Sequence, residues 1–181
     1  MKAELDVKLA KAFVKVMENT NDMALIFFEE SGLRTKIMDS NGYRLLDLRI
    51  PSENMISYEF TESNPVEFGI IVSHIKDMTK GMTVKDKHTL TLDYDLESPT
   101  WLNLESCGVK RKLRLLKSSM MKRHKTPTLE SLWSAKIPYK STSGSKTELF
   151  VKGGDSSTPL ELEWIFEGVN IKSWVATRQQ N

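Results

Sequence analysis

The sequence predicts an α+β protein: antiparallel sheets with two helices in a first unit, followed by a truncated, mostly β second unit. Three observations predict it. Two stretches with apolar residues at three- and four-residue steps are each followed by a run of strand-like segments. A basic, aperiodic stretch comes next and contains Pro127. Beyond residue 130 only short strand-like segments remain, and no amphipathic helix is visible.

Leu5, Leu9, Phe13, Val16 and Met17 share one face of an opening helix, with Lys8, Lys11 and Lys15 on another. Met23–Glu30 reads as a strand, Ser31-Gly32 as a turn, and Leu33–Met38 as a second strand. Asn41-Gly42 is a hairpin signal, because both residues tolerate positive φ. Tyr43–Ile50 returns as a strand that Pro51 stops, and Met55–Phe60 alternates as another. Val66–Met82 reads as a short strand leading into a second helix. There Ile71, Ile75 and Met78 face inward, Lys76 and Lys80 face outward, and Gly81 ends the helix. Strands follow at His88–Asp95, Trp101–Ser106 and Val109–Leu116. Helix, strands, helix, strands is an internal pseudo-repeat in organisation.

From Lys110 to Lys125 the chain carries eight basic residues and no acidic one. Four strands then read at Leu132–Tyr139, Glu148–Lys152, Leu160–Phe166 and Asn170–Thr177. Ser141–Lys146, Gly153-Gly154-Asp155 and Glu167-Gly168 separate them. The units are therefore 1–116, a linker over 117–131, and 132–181.

With 181 residues, 39% hydrophobic and 28% charged, the chain can bury a core, and a net charge of +2 says nothing by itself about nucleic acid. One cysteine, Cys107, excludes an internal disulfide and fits a reducing compartment. There is no long apolar run and no signal-peptide pattern at the amino end, so the expectation is an intracellular protein off the membrane. His74, His88 and His124 are scattered, so no metal site is expected. Gly144-Ser-Lys-Thr147 lacks the upstream glycine and following helix of a phosphate loop, and reads as a polar turn. Nothing points to a catalytic residue or a cofactor, and the protein is read as a non-enzyme.

The Ile37-Met-Asp39 corner with Ser40 closely resembles the partner-docking corner of DNA sliding clamps of the PCNA family. Met1-Lys-Ala, Glu30-Ser-Gly-Leu-Arg34 and Glu67-Phe-Gly-Ile70 resemble the first domain of that family. Ser157-Thr-Pro-Leu-Glu-Leu-Glu-Trp164 and Ile171-Lys-Ser-Trp-Val-Ala176 resemble its last strands. Thr177 stands where the family has a final proline.

The resemblance implies a processivity factor. Such a protein grips double-stranded DNA without reading sequence and tethers DNA polymerase and other clients that carry short docking peptides, after placement by a clamp loader. It implies DNA contact through Lys8, Lys11, Lys15, Lys76 and Lys80, against the bland alternative of a solvated helix face. It implies client docking at Met38, Tyr43 and Leu45, at Leu129 on the linker, and at Pro159, Trp174 and Val175. Tyr43 replaces a smaller aliphatic residue and would narrow that pocket. It implies a location in the cytoplasm or nucleoid of an archaeon, or in the nucleus of a eukaryote.

The length argues against a whole ring subunit. About fifty residues follow the linker, where the family needs a second domain as long as the first. The strand from Val109 through Arg111, Leu113 and Leu115 would then be left as an unpaired subunit-interface edge, guarded by charge. The alternative to a minimal clamp is a clamp-derived module outside any ring. It would sequester client peptides or cap a full-length clamp as a regulator, with another copy of itself or a full-length clamp as partner.

Overall fold

The structure is a computed structural model, and it describes residues 1–140, 146–155 and 158–176. Thr177, Ser157 and most of the Ser141–Thr147 stretch lie outside the described residues.

The chain opens on a strand, not on a helix. Ala3 and Leu5 alternate inward along β1 (Lys2–Asp6), and α1 (Val7–Glu18) begins only after Asp6. Asp6 caps it, its Oδ1 accepting the Leu9 N–H at 2.8 Å. Helical spacing had absorbed Leu5 into the helix, yet Leu5 sits buried in a sheet. After α1 come β2 (Met23–Glu29), β3 (Gly32–Met38), β4 (Arg44–Pro51) and the three-residue β5 (Ser57–Glu59). The second half repeats the plan with β6 (Val66–Ile71), α2 (Val72–Thr79), β7 (Thr89–Tyr94), β8 (Trp101–Ser106) and β9 (Val109–Arg114). The four last strands are β10 (Trp133–Lys140), β11 (Lys146–Gly153), β12 (Leu160–Phe166) and β13 (Val169–Val175).

The two halves of the pseudo-repeat interlock. The first strand of each pairs into the sheet of the other: β1 with β7, and β6 with β2. One sheet runs β5-β1-β7-β8-β9, and the other runs β10-β11-β12-β13-β4-β3-β2-β6. Between them lies one core, in which Phe28, Phe68 and Tyr94 form a chain of ring contacts with centroids 5.8 and 4.8 Å apart. No residue of α2 caps its own amino end. Asp22, in the turn after α1, does so from outside, accepting the Val72 N–H at 2.7 Å through its carbonyl and the Ser73 N–H at 2.8 Å through its carboxylate. The helices thus start and stop against each other, and pack side by side. Gly81 follows α2 without adopting positive φ.

The C-terminal strands continue the larger sheet, because β13 pairs with β4 along Arg44–Arg49. Among the described residues they bring no helix and no second layer. On their inner side Trp133, Ala135, Ile137, Leu149, Leu162 and Trp164 share one face by register, and Trp133 and Ile137 are each 46% exposed.

The hairpin reading of Asn41-Gly42 needs correction. Only Gly42 has positive φ, at 75°. The connection is a five-residue corner, Asp39 to Tyr43, rather than a two-residue turn. Asp39 organises it: its N–H donates to Arg44 O at 2.9 Å, its carbonyl accepts from Gly42 N at 3.0 Å, and its Oδ1 accepts from Arg44 N at 2.8 Å.

Candidate functional site

Period-two alternation and the strand register place one row of side chains across four strands. Met38 stands opposite Leu45, Leu45 opposite Trp174, and Trp174 opposite Glu161. The row lies on the outer face of the larger sheet, away from the core. Leu45 and Trp174 are buried at 3% exposure each, while Met38 is half-buried.

Two contacts fix the ends of the row. Asn21, just past α1, donates its Nδ2–H to Met38 O at 3.0 Å. Ala176 N–H donates to Tyr43 O at 2.9 Å, carrying the β13–β4 seam past the last strand pair. Beneath Trp174 sits a charge cluster that sequence reading missed. Glu161 accepts the indole N–H at 2.9 Å and pairs with Lys172 at 3.0 Å and Lys152 at 3.3 Å. Burial pushes the Glu161 carboxyl upward, but its cationic and N–H partners outweigh this and hold it below its usual range. Lys172 also lies 5.7 Å from the Trp174 ring centroid. The visible signal was the register itself, since Glu161 and Trp174 are a cross-strand pair.

The linker supplies the third wall. Leu116 bridges to Gly69 of β6, with backbone hydrogen bonds of 3.0 and 2.9 Å. Arg123 pairs with Glu67, and Lys36 Nζ on β3 donates to Thr126 Oγ1 at 2.7 Å. These ties draw the linker across the outer face. They bring Lys125 and Pro127 to a cavity of about 270 Å³ lined also by Met38, Gly42, Tyr43, Leu45, Pro159, Trp174 and Ala176.

Five expected docking residues, Met38, Tyr43, Leu45, Pro159 and Trp174, meet in this cavity. Leu129 and Val175 are not among its lining. Val175 pairs with Arg44 and Leu160 and, one residue from Trp174, points to the opposite face of the sheet. Leu129 is half-buried further along the linker, and Pro127 holds the position expected for it. Tyr43 is 67% exposed and stands at the rim.

Lys8, Lys11 and Lys15 are exposed on α1. Lys11 Nζ donates to Met82 O at 2.7 Å. Lys76 of α2 pairs with Glu18 of α1, and Lys80 with Asp77 at 2.6 Å. Two of the five lysines are thus partly neutralised, while Lys8 and Lys15 have no ion-pair partner among the described residues. The helix face keeps an excess of positive charge, with five lysines against two carboxylates.

The β9 edge is covered by the core at one end only, although Val109, Arg111 and Leu113 share one face by register. β9 is the last strand of its sheet, with Val109 and Arg111 exposed. Leu113 is 6% exposed and belongs to the core. Leu115 lies beyond the strand, its N–H donating to Thr100 O at 2.9 Å, and packs against the core. An added strand would therefore meet backbone groups and the side chains of Val109 and Arg111, not the two leucines. Among the described residues no group of His, Cys, Asp and Glu could hold a metal ion, and no helix is long and apolar enough to cross a membrane.

No protein-family model and no curated protein matches the chain. Solved structures do. A structure of PCNA from A. fulgidus with the C-terminal region of FEN-1 bound superposes with TM-score 0.81 at 14% identity, covering 99% of each chain. The PCNA2–PCNA3 complex of Sulfolobus tokodaii gives TM-score 0.72 at 17% identity, covering 99% of this chain and 100% of that one. PCNA from Entamoeba histolytica gives 0.70 at 15%, covering 98% of each chain. The chain has the fold of PCNA-type sliding clamps.

Proposed function

We propose that the protein is a clamp-type tether without catalytic activity of its own, which docks short client peptides in the cavity between the Asp39 corner, the linker and β13. The observation that carries this is the convergence of three distant segments on one apolar-floored cavity of about 270 Å³. Its floor is made of Leu45 and Trp174, and its rim of Met38, Tyr43, Pro127 and Pro159. A few apolar anchors over such a floor are the usual way a groove holds a peptide. The test is fluorescence anisotropy with a labelled peptide bearing aromatic and aliphatic anchors. Met38→Ala, at a half-buried position, is expected to weaken binding by about five- to tenfold with little change in melting temperature. Unchanged affinity would remove the cavity from the docking path.

The helix face is read as the DNA side of the tether. Contact through lysines is electrostatic and blind to base sequence. Double-stranded DNA affinity should fall with salt, and replacing Lys8 and Lys15 together by alanine should flatten the log–log slope by about 2. Salt-independent affinity, or a slope the double variant leaves unchanged, would dissociate this face from DNA.

A second reading is favoured by the free β9 edge. The chain would cap a full-length clamp by adding β9 to that clamp's open sheet, and so regulate it. Solution mass alone and in mixture with a full-length clamp separates the two. A homotrimer defeats capping, and a monomer with no salt-dependent DNA affinity defeats the tether.

A further inference from the structure

We propose that the peptide this cavity takes is acidic: an extended segment whose apolar or aromatic anchor enters over Leu45 and Trp174 while a neighbouring carboxylate meets Lys125. The proposal rests on the reading of the cavity as a docking site and adds the chemistry of its ligand.

Lys125 is the sole charged residue among those lining the cavity, and no carboxylate lines it. It is exposed and has no ion-pair partner among the described residues. Its neighbours are engaged: Arg123 holds Glu67, and Lys36 holds the Thr126 hydroxyl. Most carboxylates of the same face are engaged as well, and Glu163, exposed on that face without an ion pair among the described residues, does not line the cavity. Asp47 is held by Arg34 and Arg49, Glu161 by Lys152, Lys172 and the Trp174 indole, and Asp39 by the Arg44 N–H. The linker is strongly basic, with eight basic residues and no acidic one over 110–125, and its one carboxylate, Glu130, does not line the cavity. Since no carboxylate lines the cavity, the anion assigned to Lys125 is one that comes with the ligand. In that arrangement the apolar floor gives affinity, and the linker charge selects among clients.

A polyanion such as single-stranded DNA carries the same charge, but the floor argues against it. Trp174 is 3% exposed and its indole N–H is held by Glu161, so it does not stand out as a stacking platform for successive bases, whereas a single anchor needs only the surface it gives the cavity floor.

The experiment uses the full chain and two labelled peptides with identical aromatic and aliphatic anchors, one flanked by glutamates and the other by lysines. Anisotropy is read at low and moderate salt, with an unlabelled poly-dT oligonucleotide as competitor. The acidic peptide should bind about three- to tenfold more tightly than the basic one, and the preference should shrink as salt rises. Lys125→Glu, at an exposed position and checked by thermal melt, should abolish or reverse the preference. Equal binding of the two peptides overturns the acidic assignment and leaves the docking site standing. Binding of neither overturns both. Displacement of the acidic peptide by poly-dT overturns the assignment to a peptide.

Discussion

Trp174→Ala is expected to cost about 3–5 kcal/mol of stability and to reduce client-peptide affinity about 30-fold or more. Two losses combine. The substitution empties a site that is 3% exposed, on the strand that joins the C-terminal sheet to β4. It also deprives the Glu161 carboxylate of the indole N–H at 2.9 Å, while Lys152 and Lys172 remain. Trp174→Phe separates the two losses. It keeps a ring on the floor and removes the N–H, so it should cost only about 1–2 kcal/mol and retain most of the binding. Urea unfolding followed by far-UV circular dichroism measures both, with an unchanged m-value marking a pure stability effect. A Trp174→Ala protein with wild-type stability would show that the indole does not hold the β13–β4 seam.

Much of this cavity is written in the sequence at period two. Met38, Leu45 and Trp174 can be assigned to one face because each sits on a short alternating run beside a recognisable corner. Val175 shows how narrow that margin is, since a shift of one residue turns a side chain to the other face. The linker is harder. Between Lys117 and Thr128 nothing is periodic, and Leu129 was the natural apolar choice. The residues delivered, Lys125 and Pro127, depend on Lys36 and Glu67 pulling the chain across the sheet. The helix lysines are legible from spacing, but Glu18 pairing with Lys76, 58 residues away, is not. β1 escaped for a local reason: Ala3 and Leu5 suit a strand and a helical face equally, and only the Asp6 cap divides them. Glu161 escaped because a glutamate in an alternating strand reads as solvent-facing until three partners are seen around it.

The strands that carry the corner are clamped one row further along by a buried ion pair. Arg34→Ala is accordingly expected to destabilise the protein by about 3–5 kcal/mol. Arg34 donates to Asp47 from Nε at 2.9 Å and Nη2 at 2.7 Å, a two-pronged contact between β3 and β4. Asp47 is 3% exposed, with Lys36 and Lys172 opposite it on the flanking strands. Burial raises its carboxyl pKa, but the Arg34 hydrogen bonds and charge, helped by Arg49, outweigh this and hold it below its ordinary value. Its contribution is therefore present above the unfolded-state value of about 3.9 and is lost as pH falls through the lower folded value. Without Arg34 only Arg49 still opposes the burial effect, so the folded pKa rises and the Asp47 charge contributes less to the variant's stability. The stability gap between wild type and Arg34→Ala should thus be widest near neutral pH and close as pH drops below about 4. Denaturation midpoints measured from pH 7 to pH 3 decide this, and a gap independent of pH would mean that Arg34 acts through packing of its stem and not through the Asp47 charge.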